Sequence, residues 1–249
     1  MTAQTPTRGR IRIEPSAKRV RLYIGGVLVA DTTRPMLVWE QPHYPTYYLP
    51  VADVRPELLE AEPGRKHSPS RGDAQTFTLV AGSKRVAAAA LRYADSPIEE
   101  LRELIRFEWD ALDSWFEEDE EVFTHPRDPY SRVDILPSSR HVRVAVDGVT
   151  VAESSSPRLL FETGLPVRYY LPKTHVRMDL LTPTETATHC PYKGQAEYWS
   201  VNGRVDLAWS YPTPLPESQK VAGLIAFYNE KVDIYVDGVL QERPKSPFS

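Results

Sequence analysis

Residues 20–31 read VRLYIGGVLVAD, and residues 142–153 read VRVAVDGVTVAE. Both stretches alternate apolar and polar residues around a Gly-Gly or Asp-Gly dipeptide, which is a strong signal for a tight β-hairpin. The hairpins are offset by 122 residues (142 minus 20), and at this offset residues 10–59 and 132–181 are identical at 21 of 50 positions. Average residue usage would give about three identities. The chain is therefore a tandem duplication of one domain.

The duplication sets the predicted domain organisation. We predict a disordered tail over residues 1–9, a first copy over residues 10–131 and a second copy over residues 132–249. Each copy has about 120 residues, which is enough for a hydrophobic core of its own. The junction, residues 128–140, repeats the strand-like start of the first copy, so we expect it to be the first element of the second copy and the copies to pack together.

The remaining patterns predict a mainly β fold with one short α-helix in each copy. The segments TYYLP (46–50) and RYYLP (168–172) indicate short strands, and a second hairpin is predicted to turn at Asn202-Gly203. The segment SPIEELRELIRF (96–107) has the capping box of a helix start. We end this helix at Phe107 and predict a strand over 111–116, because the equivalent segment of the second copy, NEKVDIYVDG (229–238), alternates with a period of two.

Composition narrows the class of protein. The chain is 41% hydrophobic and 26% charged, as in globular proteins, and its net charge of −4 argues against a general nucleic-acid binder. No apolar run approaches the ~20 residues that span a bilayer, and the N-terminus lacks the apolar region of a secretory signal. One cysteine, Cys190, excludes an internal disulfide and fits a reducing compartment, so we expect a cytoplasmic protein without a membrane partner.

Four motifs of the second copy follow one another in the order RYYLPKTHVRMDLL (168–181), THCPYKGQAEYWSV (188–201), AWSYPTPLP (208–216) and AFYNEKVDIYVDG (226–238). Together they resemble the bacterial family called domain of unknown function 427, which also carries a nucleotidyltransferase-like name. The first copy resembles the same family more loosely. The resemblance implies a tent-like or barrel-like sheet related to that of the methionine sulfoxide reductases B. It carries no reaction over to this chain. The paired aspartates and glycine-rich phosphate loop of a nucleotidyl transfer site are not found in the sequence.

One motif differs between the copies at chemically reactive or charged positions, HCPYKG (189–194) in the second copy against HSPSRG (67–72) in the first. The histidine, proline and glycine of the motif are the same in both copies. The cysteine, tyrosine and lysine of the second copy correspond to serine, serine and arginine in the first, so a functional site is favoured in the second copy. The catalytic role is unassigned. The candidates are Cys190 and His189, although neighbours on a strand point to opposite faces. A lone cysteine is also often a small buried hydrophobe.

A ligand pocket in the second copy is the leading hypothesis. Lys193 has an arginine counterpart, so a positive charge persists that suits an anionic or polar metabolite. Arg177 either faces the same ligand or pairs with Asp179, and the tryptophans either wall the pocket or pack in the core. The candidate binding residues are Lys193, Tyr192, Arg177, Trp199, Trp209 and Tyr211.

The alternatives are of other classes. The duplication itself fits a structural or interaction module that acts through surfaces between copies or subunits. Thiol chemistry at Cys190 would need an external thiol, since no second cysteine is present. The spacing of His175, His189 and Cys190 matches no common zinc pattern, so we expect no metal and no cofactor. Whether the protein is an enzyme, and whether it forms a homo-oligomer, stays open.

Overall fold

The computed structural model of the protein describes residues 11–249, and the predicted tail over residues 1–9 lies outside them. The chain divides between Asp128 and Pro129 into two compact units, one for each copy of the repeat. The strands of the first copy are β1 Arg12–Pro15, β2 Val20–Ile24, β3 Val27–Thr32, β4 Met36–Trp39, β5 Thr46–Pro50, β6 Leu59–Ser68, β7 Gly72–Ala81, β8 Lys84–Arg92, β9 Leu104–Phe107, β10 Ser114–Glu117 and β11 Glu120–Val122. Those of the second copy are β12 Val133–Pro137, β13 Val142–Val146, β14 Val149–Ser154, β15 Arg158–Glu162, β16 Arg168–Tyr170, β17 Leu181–Cys190, β18 Gly194–Val201, β19 Arg204–Ser210, β20 Ile225–Phe227, β21 Asp233–Val236 and β22 Val239–Leu240.

The mainly β fold class is confirmed, but the type of helix is not the predicted one. Every helical segment within residues 11–249 is a short 3-10 turn. The predicted helix over residues 96–107 is a single turn, Glu99–Leu101, followed by strand β9. The 3-10 segments are Val51–Asp53, Pro56–Leu58, Glu99–Leu101, Trp109–Ala111, Lys173–His175, Met178–Leu180 and Pro216–Val221.

Both copies have the same antiparallel topology. In the first copy a large sheet has the order β1-β4-β5-β9-β8-β7-β6, and a small sheet has the order β11-β10-β2-β3. The second copy repeats the large sheet as two parts, β12-β15-β16 and β17-β18-β19-β20, which are joined by a bridge between Leu171 and Ile225. Its small sheet has the order β14-β13-β21-β22. The predicted hairpins at Gly25-Gly26, Asp147-Gly148 and Asn202-Gly203 are all present.

The large sheet of each copy has two differently used faces. Its inner face packs on the small sheet and forms the main core, to which Leu22, Leu49 and Phe107 contribute in the first copy. Its outer face, turned away from the small sheet, carries a second cluster that includes Tyr48 and Leu91. Alternation along a strand places neighbouring side chains on opposite faces, so polar groups on the outer face stay separate from the main core. The buried ion pairs of the candidate site lie on this outer face, and the cavity beside the pair of the first copy is also lined by main-core residues such as Trp115.

Candidate functional site

Each copy holds a largely buried ion pair at the same place on its outer face. In the first copy Glu40 pairs with Arg71, and in the second Glu162 pairs with Lys193 through an Oε2–Nζ distance of 2.6 Å. Glu40 and Glu162 are 122 positions apart, as are Arg71 and Lys193. The side chains of both pairs are at most 15% exposed. Burying opposite charges is costly unless they are paired, so the duplication has preserved an expensive feature.

A tight turn positions the cation of each pair. Arg71 and Lys193 stand immediately before β7 and β18, in the turns that follow β6 and β17. The next residue has a positive φ, +87° at Gly72 and +93° at Gly194. Side chains other than glycine rarely adopt this conformation. The glycine therefore lets the chain reverse directly after the cation and aims the cation at the carboxylate.

The first copy extends its ion pair into a network. Glu40 accepts hydrogen bonds from the Tyr48 hydroxyl at 2.6 Å and from Nη1 of Arg106 at 2.7 Å, and Arg106 also pairs with Glu108. Arg71 donates from Nη1 to the Tyr48 oxygen at 2.8 Å. Burial raises the pKa of Tyr48 well above its ordinary value, so the hydroxyl keeps its proton and donates to Glu40. The buried Nε of Arg106 has no hydrogen-bond partner within residues 11–249.

A cavity of about 430 Å³ opens above this network. Its lining includes the charged side chains of Glu40, Arg71, Arg106 and Glu108, together with two stacked aromatic pairs. The paired rings are Trp109 with Trp115, 4.4 Å between centroids, and Tyr44 with His125, 4.0 Å between centroids.

The imidazole of His125 is neutral near pH 7. Burial lowers the pKa of His125, and this effect outweighs the hydrogen bond to the carbonyl oxygen of Pro126, which alone would raise that pKa. The distance from Nδ1 to that oxygen is 2.8 Å, so Nδ1 carries the proton. The cavity therefore presents a neutral ring beside Tyr44, and the arginines supply its positive charge.

The second copy has a cavity at the equivalent position, but its volume is only about 160 Å³. Arg168 stands where the first copy has Thr46, and its guanidinium makes two 2.7 Å bonds to the buried carboxylate of Glu230. It also lies within 6 Å of the ring centroids of Trp209, Tyr228 and Phe248. These side chains fill the space that the first copy leaves open.

One cross-strand pair explains part of this difference. Leu91 of β8 is paired with Arg106 of β9 in the first copy, and the equivalent strands of the second copy pair Trp209 with Ala226. The larger side chain of the pair is the charged Arg106 on β9 in the first copy and the uncharged Trp209 on β19 in the second. The indole Nε1 of Trp209 donates to the Tyr170 oxygen at 3.1 Å, so the tryptophan replaces an arginine as a hydrogen-bond donor on this face.

Four of the residues predicted as a site do lie together. The outer-face cluster of the second copy includes Trp209 and Tyr211, with Cys190 packed against it. The fourth residue, Lys193, pairs with the buried carboxylate of Glu162. Burial raises the pKa of Tyr211 well above its ordinary value. Cys190 is half-buried against this cluster, while the neighbouring His189 is exposed. The two are therefore not arranged as a nucleophile with its base.

The candidate binding residues Trp199 and Trp209 do not wall one common pocket. Trp199 is paired with Ala208 and Tyr198 with Trp209, so the two tryptophans occupy opposite faces of the sheet. Trp199 packs in the main core of the second copy, whereas Trp209 packs on the outer face. The half-buried Tyr192 uses its carbonyl oxygen to accept a hydrogen bond from the Ser218 hydroxyl.

Arg177 is also remote from Lys193. It is exposed and makes a two-pronged ion pair with Asp179, one of the two alternatives that the sequence left open. It precedes the ten-residue strand β17, whereas Lys193 follows that strand. Ten extended residues span about 30 Å, so the two cations cannot hold one small ligand.

Sequence reasoning missed the carboxylates and the aromatic walls. Glu40 and Glu162 were among the 21 identities of the repeat, and a charged residue at the end of an apolar strand was the signal that could have found them. Trp109, Trp115 and His125 gave no signal, because they have no aromatic counterparts at the equivalent positions of the second copy.

Within residues 11–249 no three His, Cys, Asp or Glu side chains gather so that they could hold a metal ion. No helix in the same range is long and apolar enough to cross a membrane.

The sequence model of the family described as "Domain of unknown function (DUF427)", named NTP_transf_9, matches the chain twice, over residues 12–118 and 134–238. The two matches cover 107 and 105 residues, or 212 of 249. The chain belongs to this family. Each match falls within one of the two copies, so the protein consists of two tandem domains of this family. No curated protein matches the chain.

Proposed function

We propose that this protein binds a small polar molecule in the cavity of its first copy. The observation that carries the proposal is the cavity of about 430 Å³ whose lining combines two arginines and two glutamates with two stacked aromatic pairs. Small-molecule sites are typically concave, about 300–1,000 Å³ in volume, and mostly apolar with a few convergent polar groups. The second copy keeps the buried ion pair but fills most of the same space.

The proposal moves the site that the sequence favoured from the second copy to the first. The retained charge at Arg71 and Lys193 supports a site beside the buried ion pair, and the loss of cysteine and tyrosine from the first copy does not close its cavity. The sole cysteine, Cys190, lies in the other copy, and its presence fits a reducing cytoplasm, which we include in the proposal.

The test is a screen of small polar and aromatic metabolites by thermal shift, with hits confirmed by calorimetry. Gln41 is exposed and lines the cavity, so Gln41→Trp should obstruct it and weaken a true ligand by at least tenfold. His43 is exposed in the same loop and does not line the cavity, so His43→Trp is the matched control and should bind as the wild type does.

Two results would reject the proposal. One is the absence of any hit, and the other is a set of hits that bind Gln41→Trp and wild type equally. Either result would favour the second class of function, a structural or interaction module that acts through the surface of the duplicated sheets.

A further inference from the structure

One of the arginines that line the cavity, Arg71, has hydrogen-bond donors that the protein does not use. Arg71 donates from Nε to the Ser68 hydroxyl at 3.1 Å and from Nη1 to Tyr48, and its guanidinium carbon lies 5.0 Å from the Tyr93 ring centroid. These contacts hold the guanidinium plane in place. Its Nη2 makes no hydrogen bond to any part of the chain from residue 11 onward, so two N–H groups of a fixed arginine remain for a ligand.

The carboxylates are fully engaged by the protein. Glu40 uses one oxygen for Tyr48 and Arg71 and the other for Arg106. Glu108 uses one oxygen for Arg106 and the other for Lys66, at 3.3 Å. The two arginines and two glutamates of the lining balance in charge, and Lys66 is an exposed cation outside the lining. A cationic ligand would have to break one of these pairs, whereas an anion needs only the open donors.

The rest of the lining includes planar aromatic rings. Trp109 and Trp115 are parallel within 5°, and Tyr44 and His125 within 12°. A planar ring gains stacking contacts on such surfaces that a puckered ring cannot match. Because burial lowers the pKa of His125, the aromatic rings of the lining add no positive charge near pH 7.

From these observations we propose that the ligand is a small aromatic carboxylate, with its carboxylate on Arg71 and its ring against the stacked pairs. The inference rests on the proposed function and gives the ligand class of that same cavity. It also sets the stoichiometry at one ligand per chain, because the smaller cavity of the second copy has neither a lysine nor an arginine in its lining.

The probes are 2-naphthoate, its uncharged amide 2-naphthamide, and the non-planar cyclohexanecarboxylate, each titrated into the full chain by calorimetry. We expect 2-naphthoate to bind at one per chain and the other two at least tenfold more weakly. Arg71→Lys should keep the ion pair with Glu40, as Lys193 does with Glu162, but lose the Nη2 donor and weaken 2-naphthoate at least fivefold. Lys193→Arg is the matched control and should leave the affinity unchanged.

Several results would overturn the inference. Equal binding of the amide would reject recognition of the anion, and equal binding of cyclohexanecarboxylate would reject recognition of the ring. Two ligands per chain, or a loss on Lys193→Arg without one on Arg71→Lys, would reject the placement. If the screen yields other ligands that Gln41→Trp blocks while 2-naphthoate does not bind, the ligand class is wrong and the proposed function stands.

Discussion

At the scale of single residues, the second copy contains a buried ion pair, Arg168 with Glu230, whose contribution to the free energy of unfolding can be measured. The Arg168 side chain is 7% exposed and that of Glu230 is 0% exposed, and two hydrogen bonds join them. The Ser246 hydroxyl also donates to Glu230. Removing one partner of such a pair leaves the other charge buried without compensation, which is far more damaging than the loss of a surface pair.

We therefore expect Glu230→Gln to lower the free energy of unfolding by about 3–5 kcal/mol. The replacement has the same shape, so the loss reports the stranded charge of Arg168. Urea denaturation followed by tryptophan fluorescence measures it. Asp179→Asn, at the exposed pair with Arg177, is the control and should have no measurable effect. A loss below about 1 kcal/mol for Glu230→Gln, the range of exposed pairs, would show that Arg168 reaches water once released.

The same pair predicts a dependence on pH. Burial alone raises the pKa of Glu230, but the hydrogen bonds from Arg168 and Ser246 outweigh it, and the pKa of Glu230 lies below its ordinary value of about 4.3. The stabilisation is complete above the unfolded pKa and is lost as pH falls through the lower folded pKa. The stability gap between wild type and Glu230→Gln should be constant from about pH 7 to pH 5 and narrow below about pH 4. A gap that widens in acid would contradict this assignment.

At the scale of elements, the turn before β7 is the most demanding part of the candidate site. Gly72 has φ +87°, and a Cβ added there would lie 3.3 Å from Cδ of Pro97. Gly82, in the turn between β7 and β8, has φ +59° and open space around its missing Cβ. The first position is restricted by both conformation and packing, and the second by conformation alone.

Gly72→Ala should cost about 1–3 kcal/mol of stability from backbone strain and should also displace Arg71. Gly82→Ala should cost about 1–2 kcal/mol and leave the cavity intact. Thermal denaturation gives the stability change, and titration of whichever ligand the cavity accepts gives the local effect. If both variants bind that ligand equally well, the turn does not position Arg71.

How far the sequence predicts the elements depends on how strongly each one is marked locally. The hairpins were marked by Gly-Gly, Asp-Gly and Asn-Gly, whose conformations suit two-residue turns, and all were found. The segment 96–107 failed because Leu104–Phe107 is inserted between β5 and β8, and this pairing overrides a helix-like composition. Strand β6 gave no signal, because its side chains are mostly exposed and it forms the edge of the sheet.

The candidate site was predictable only in part, for a related reason. The repeat marks positions that both copies share, which is why the ion-pair cation was found. A cavity depends instead on where the copies differ in bulk, such as Thr46 against Arg168, and on side chains brought together from distant segments, such as Tyr44 and His125. Neither property has a local pattern.

At the scale of the whole molecule, each copy has a complete set of core residues. The two clusters of the first copy draw their members from residues 11–115, and those of the second copy from residues 133–236. No cluster among the described residues combines members of both units.

We therefore expect residues 129–249 expressed alone to fold. The fragment should give a cooperative thermal transition and the near-ultraviolet circular dichroism of packed tryptophan, and its difference in Tm from the full chain should measure the contribution of the first copy. If the two copies pack together, as the sequence of the junction predicts, the fragment should have a lower Tm than the full chain or should self-associate. A fragment that lacks a cooperative transition would show that its core is not self-sufficient.

The exchanged cross-strand pair, Leu91 with Arg106 against Trp209 with Ala226, also limits how the two halves of the gene can evolve. Converting one arrangement into the other requires two substitutions. Leu91→Trp alone would crowd an indole against Arg106, and Ala226→Arg alone would bury an unpaired charge beside Trp209. In these orders the first substitution is expected to disfavour folding, so the two residues of the pair are expected to change together. The two copies can therefore diverge as separate units within one gene, each constrained by its own cross-strand pair.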